Sequence, residues 1–189
     1  MKNKAEIPFI VRVNSADVGG WKKIDDRYVS GDLEVSVTLE EYGFVTRQRT
    51  TVKNNGGTPV LLSGVSSALI RTERGDIFVD RNRWQAEGQW NRFTPEQCGL
   101  VPASCHPWER ETFVIDSVGS WSTGVFYPLT MISDGKHTYF MEIEGAHNWR
   151  LTHAVTRGND ENIWTLEGTA AHEENGGWTY LLAPGESNT

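Results

Sequence analysis

Between Arg83 and Leu151 stand five of the chain's eight tryptophans, Trp84, Trp90, Trp108, Trp121 and Trp149, several of them beside Glu, Gln, Asn or Arg. An indole offers a flat apolar face, and its polar neighbours offer directed hydrogen bonds. That combination suits the faces and hydroxyls of a sugar, and it suits a sheet core equally well. The two densest phrases are Arg83-Trp-Gln-Ala-Glu-Gly-Gln-Trp90 and Gly119-Ser-Trp-Ser-Thr-Gly124. They supply Trp84, Glu87, Trp90 and Trp121 as candidate carbohydrate contacts, and the segment that follows the first phrase adds Arg92. Trp84 and Trp90 are an even number of positions apart, so on an unbroken strand they share a face, while Glu87 and Gln89 take the other. An aromatic platform and a core row both fit, and the polar groups opposite favour burial of the indoles. Gly88 permits a bulge that would re-aim either one.

No catalytic constellation accompanies these residues. His106, His137, His147, His153 and His172 are scattered, and no serine or cysteine has a recognisable histidine and acid partner, so a nucleophilic triad is not expected. A proton-shuttling pair can be assembled from His106 or His153 with Glu87 or Glu144, but spacing does not fix it, and structural or surface histidines are the simpler reading. Cys98 and Cys105 would close only a short loop, and without an export signal reduced thiols are expected. With His106 they make three potential zinc ligands, but a fourth ligand and tighter spacing are missing, so neither a metal nor another cofactor is expected.

The elements that must position these side chains read as strands. A chain of 189 residues with 38% hydrophobic content supports one sizeable core, so residues 1–189 are expected to form a single domain. Frequent glycine, 11% aromatic residues and few helix-forming runs point to an all-β chain. The net charge of -7, without a strong basic cluster, argues against nucleic acid or an anionic membrane as partner. The first ten residues lack an apolar stretch of signal-peptide length, and no later segment is long and apolar enough to span a bilayer, so a cytoplasmic location is expected.

Leu33, Val35, Val37 and Leu39 alternate with polar residues, which predicts a half-buried strand partnered by Val45 to Val52 across a hairpin. Asn54-Asn-Gly-Gly57 supplies a turn before Pro59 to Leu62. Further strands are predicted at Ser67 to Arg71, Asp76 to Val79, Trp84 to Trp90, Glu111 to Ile115, Gly124 to Ile132, Thr138 to Glu144, Trp149 to His153, Asn162 to Glu167 and Trp178 to Leu182. Asp134-Gly135 marks a hairpin, and turn residues recur about every ten positions, the spacing of a two-sheet antiparallel sandwich. Thr169 to Glu174 is the one plausible helical turn. Asn91 to Arg110, broken by Pro95, Pro102 and Pro107, reads as a long loop of the kind that often carries function. Beyond Leu182 no closing structure is expected.

From Val52 onward the sequence resembles the N-terminal domain of glycoside hydrolase family 36, the melibiase-type α-galactosidases. The resemblance rests on Trp84-Gln-Ala-Glu-Gly-Gln-Trp90, Gly119-Ser-Trp-Ser-Thr-Gly124, Tyr139-Phe-Met-Glu-Ile-Glu144 and Asn148-Trp149, in that order along the chain. Val52 to Val60, Ser104-Cys-His-Pro107 and Pro184-Gly-Glu-Ser187 add weaker matches. It implies a β-supersandwich of the galactose-mutarotase type ahead of a catalytic (β/α)8 barrel, with both carboxylates of the retaining mechanism on that barrel. A barrel needs alternating βα units over about 250 residues, and this chain has no such pattern. The implied role is therefore a non-catalytic N-terminal domain that shapes a substrate entrance and supports subunit assembly. Its implied partners are a galactoside-type carbohydrate, the absent barrel and copies of itself in a homo-oligomer, with Trp121 and the loop around Arg92 as contacts. An autonomous carbohydrate-binding module and an aldose epimerase-like enzyme on the same fold are the alternatives.

Overall fold

The computed structural model describes residues 7–82, 88–102, 110–119, 123–144 and 148–189. The chain divides into two compact units, Met1–Leu69 with Ala171–Thr189, and Ile70–Ala170.

The first unit begins with four short strands that the sequence pattern did not mark, β1 (Ile10–Val13), β2 (Ala16–Asp17), β3 (Lys22–Ile24) and β4 (Arg27–Ser30). It continues with β5 (Leu33–Tyr42), β6 (Val45–Asn54) and most of β7 (Val60–Thr72). β5 and β6 pair without a break from Leu33 opposite Asn54 to Tyr42 opposite Val45, and Gly43, at φ +65°, turns the hairpin. Alternation holds at the root of this hairpin, where Leu33, Val35 and Val52 join Phe9, Val11, Tyr28, Leu62, Val65 and Leu182 in one core. Phe9 sits edge-on to both Trp21 and Tyr28, with ring centroids 5.2 and 5.1 Å away. Towards the tip the expected burial fails: Leu39 is exposed, with Tyr42, Phe44 and Val45, because no other strand flanks that end of the hairpin within this core.

The second unit holds β8 (Asp76–Arg81), β9 (Gln89–Phe93), β10 (Arg110–Ser117), β11 (Phe126–Ser133), β12 (Thr138–Glu142), β13 (Trp149–Arg157) and β14 (Asn162–His172), whose last two residues belong to the first unit. β10, β13 and β14 form an antiparallel ladder whose buried side chains include Trp149, Leu151, Val155, Trp164 and Leu166. β14 overruns the helical turn expected at Thr169 to Glu174. Thr169 pairs with Arg150, and its hydroxyl reaches the buried Glu167 carboxylate at 3.3 Å, so tertiary pairing outweighs the local preference. Strands β12, β11, β8 and β9, in that order, make a second, four-stranded sheet.

The chain then returns to the first unit. β15 (Tyr180–Leu182) pairs with β7, and β16 (Ser187–Asn188) pairs with β6. The end expected to run out without structure is thus strapped down, and the Glu186 carboxylate helps by accepting from the Tyr180 hydroxyl at 2.5 Å and the Ala183 amide at 2.8 Å. β7 is one strand of 13 residues where two were expected. Its middle is carried by the buried small polar residues Ser63 and Ser66, and Ser63 Oγ accepts the Ser15 amide at 2.8 Å.

Among the described residues the architecture is nearly all β, in several antiparallel sheets, and it matches an all-β sandwich. A single 3₁₀ turn, Glu96–Cys98, is the one helical element there.

Candidate functional site

The four-stranded sheet carries the described part of the candidate site. On β8 the sequence Asp76-Ile-Phe-Val-Asp-Arg81 alternates, so Ile77 and Val79 go to the buried face while Asp76, Phe78 and Asp80 share the other. Register extends that outer face across the sheet. Phe78 lies opposite Arg92 of β9 and Met131 of β11, and Met131 lies opposite Phe140 of β12. One row therefore runs Arg92, Phe78, Met131, Phe140 over all four strands. A second row sets Asp76 beside Ser133 and Thr138, and a third sets Trp90 opposite Asp80.

The row is apolar in the middle and open to solvent at both ends, with Phe140 45% exposed and the Arg92 side chain 69% exposed. Arg92 donates from Nε to Asp76 Oδ2 at 2.7 Å and from Nη2 to the same oxygen, and its guanidinium lies 6.0 Å from the Phe78 ring centroid. The pair thus stacks on the aromatic ring and holds the guanidinium over the sheet.

At the end of this face a cleft of about 370 Å³ opens between the β7–β8 connection and the β11–β12 turn. Arg74, Gly75, Asp76, Phe78, Arg92 and Ser133 line it, together with Asp134 and Gly135 of the turn. Its walls are tightly built. A Cβ on Gly75 would collide with the Ser133 carbonyl, so glycine is what lets the two segments touch. Asp134 Oδ1 accepts the backbone amides of Lys136 and His137 at 2.7 and 2.6 Å. These two bonds, the His137 amide first, hold its carboxyl below the usual range, and it stays ionised in the turn. Arg74 Nη2 meets Glu96 Oε1 at 2.6 Å, and this hydrogen bond is the main cause that lowers the Glu96 carboxyl.

Of the sequence-derived contacts, Trp84, Glu87 and Trp121 lie outside the described residues, as do His106 and Cys105. Trp90 and Arg92 are brought onto one strand face, on β9. Two expectations change there. The strand is Gln89–Phe93 rather than Trp84 to Trp90 in its described part, so Arg92 stands on a strand and not in a loop. Trp90 is 45% exposed, which removes it from the core that alternation favoured, because β9 is the edge of its sheet. Gly88, directly before this strand, takes φ +71°.

The proline-broken segment also gains order. Thr94 and Gln97 bond reciprocally, the Thr94 amide to Gln97 Oε1 at 2.8 Å and the Gln97 amide to Thr94 Oγ1 at 3.3 Å, the capping-box pattern that starts the 3₁₀ turn. Cys98 in that turn is a free thiol whose burial pushes its pKa up to about 11, so it is inert as a nucleophile near neutral pH. The roots of the two tryptophan phrases are joined. Asn82 donates its side-chain amide to the Thr123 carbonyl and its backbone amide to the Val125 carbonyl at 2.9 Å. Gly119 donates its amide to Asn148 Oδ1 at 2.7 Å.

Against the buried face of this sheet lies His153 of β13, from the neighbouring ladder, 1% exposed and tilted against Phe113. Thr130 Oγ1 donates to the Phe78 carbonyl at 2.9 Å, so it accepts from His153 Nε2 at 2.8 Å, which fixes the Nε2–H tautomer. Among the described residues Nδ1 has no partner, and burial pulls the imidazole pKa down to about 4. His153 is thus an enclosed, neutral histidine packed between the two sheets' side chains rather than a surface group. Among the described residues no group of three or more His, Cys, Asp or Glu is placed to hold a metal ion, and no helix is long and apolar enough to cross a membrane.

No protein-family model matches the chain, and no curated protein does. Solved structures do match. The α-galactosidase from Lactobacillus brevis superposes with a TM-score of 0.64 at 11% identity, covering 98% of this chain and 28% of its own. The GH36 α-galactosidase AgaB from Geobacillus stearothermophilus gives 0.65 at 15% identity, covering 98% and 29%. The chain therefore shares the fold of a region of these enzymes and spans less than a third of their length.

Asp76, Phe78, Ser133, Asp134 and Phe140 were not anticipated as site residues. The available signal was the phase of β8 and β12, which places Phe78 and Phe140 on the polar side of the alternation.

Proposed function

We propose that the chain is a single non-catalytic N-terminal domain of an α-galactosidase-like glycoside hydrolase, which shapes the substrate entrance and supports assembly into a homo-oligomer. The observation that carries this reading is the fold match over 98% of the chain to under a third of two α-galactosidases. The order of the sequence motifs supports it further. The catalytic barrel belongs to the remaining part of such an enzyme, and the ligand is a galactoside-type carbohydrate contacted by Trp84, Glu87, Trp90, Arg92 and Trp121. The expected result with an aryl α-galactoside is no release of the phenol by this chain alone. Hydrolysis that disappears on changing one of its own carboxylates overturns the reading.

A second reading, an autonomous carbohydrate-binding module, is favoured by the half-exposed Trp90 and Phe140 on one face of the four-stranded sheet. Raffinose bound by the chain in isolation supports it.

A further inference from the structure

We propose that the cleft between the β7–β8 connection and the β11–β12 turn is itself a binding site for a neutral saccharide, bordered by Phe78 and held by Asp76, Arg92 and Asp134. The inference rests on the preceding reading only for the choice of a galactoside among the neutral sugars.

Size comes first. A volume of about 370 Å³ lies at the lower end of the roughly 300–1,000 Å³ that small-molecule sites occupy, enough for one or two sugar rings. Charge then narrows the ligand. The lining arginines, Arg74 and Arg92, are balanced by the lining carboxylates Asp76 and Asp134, and each guanidinium already meets an acid, Arg92 with Asp76 and Arg74 with Glu96. An anion entering the cleft gains no unpaired cation and meets both aspartates, and a cation fares no better against the arginines.

Hydrogen-bonding capacity is what remains. Arg92 spends Nε and Nη2 on one oxygen, Asp76 Oδ2, so three of its five N–H groups and Asp76 Oδ1 are left. Asp134 spends Oδ1 on two backbone amides and offers Oδ2 only a 3.5 Å contact with His137. Donors and acceptors side by side, at the border of a half-buried aromatic ring, match the vicinal hydroxyls of a pyranose. The walls are fixed beforehand by Gly75 against Ser133 and by the Asp134 turn, so little ordering is needed on binding.

The test is saturation-transfer NMR on the full chain with raffinose, maltose and galacturonic acid as separate probes, repeated on Arg92→Ala and Asp76→Asn. Arg92 is exposed enough that its replacement leaves the fold intact, which thermal unfolding of the variant checks. The expected result is saturable transfer to raffinose, at least about fivefold weaker binding in each variant, the loss of one net hydrogen bond, and weaker binding of galacturonic acid than of raffinose. Maltose bound in place of raffinose, with the same loss in the variants, supports the cleft and counts against the galactoside reading. No transfer to either neutral sugar, unchanged binding in both variants, or preference for galacturonic acid overturns the proposal. None of these three outcomes bears on hydrolysis of an aryl galactoside.

Discussion

The two faces of the four-stranded sheet are made by the same strands and do opposite things. Ile77, Val79, Thr130 and Ile132 go inward, almost fully enclosed, with one histidine held neutral among them. Phe78, Met131, Phe140 and Arg92 go outward in the same registers, half covered, and are organised by an ion pair and a cation–π contact in place of a second layer. Period-two alternation alone creates this division. Apolar content does not identify the folding face here, since both faces carry large apolar side chains. The inward face excludes water, and the outward face leaves aromatic surface next to unspent donors and acceptors, which is where ligand contact can be made without cost to the fold.

Breaking the inward face gives the largest effect. Ile77→Ala is expected to cost about 3–4 kcal/mol in urea unfolding, from lost burial plus the cavity, while the denaturant slope stays unchanged. His153→Gln, on β13 opposite Thr130, tests the packing against that face through pH. The folded pKa of about 4 lies below the ordinary histidine value of about 6.5, so the unfolded chain takes up the proton first. The stability that depends on neutral His153 is complete above about pH 6.5 and is lost as pH falls towards 4, a span worth on the order of 3 kcal/mol. The variant flattens this part of the stability–pH curve.

Asp80 sits on the outward face yet is only 7% exposed, and its Oδ1 has no hydrogen-bond partner among the described residues. Burial raises its carboxyl above the usual range, so the ionised form destabilises the folded state at neutral pH. Asp80→Asn removes the buried charge and is expected to raise the melting temperature at pH 7. The gain shrinks as pH falls through the raised folded value and is gone below the ordinary carboxylate pKa. Arg92→Ala has the smallest effect on folding, within about 0.5 kcal/mol, because its pair with Asp76 is solvent-exposed.

The strands were legible where alternation and turn residues agreed, as in β5, β6 and the Asp134-Gly135 hairpin, since burial on one side imposes period two. β1 to β4 were not legible because at two to four residues each they are too short to show an alternation, even though most of their pairings are with neighbours in the sequence. β14 was misread at Thr169 because pairing with Arg150 sets its conformation, and no local signal records that. For the site, Arg92 was reached from its place after the tryptophan phrase, but the residues around it were not. Asp76 and Phe78 lie on β8, Ser133 ends β11 and Asp134 begins the turn after it, far apart in sequence, and only the β8–β11 register brings them together. Trp90 was assigned by parity, which gives a face and says nothing about whether that face is covered.

Methyl-labelled NMR of the intact chain during a raffinose titration tests the division of the sheet most directly. The expected result is a saturable shift of the Met131 methyl and the Phe78 ring signals on the outward face, with the methyls of Ile77, Val79 and Ile132 unmoved. Shifts of equal size on both faces, or none at Met131 and Phe78, would contradict it.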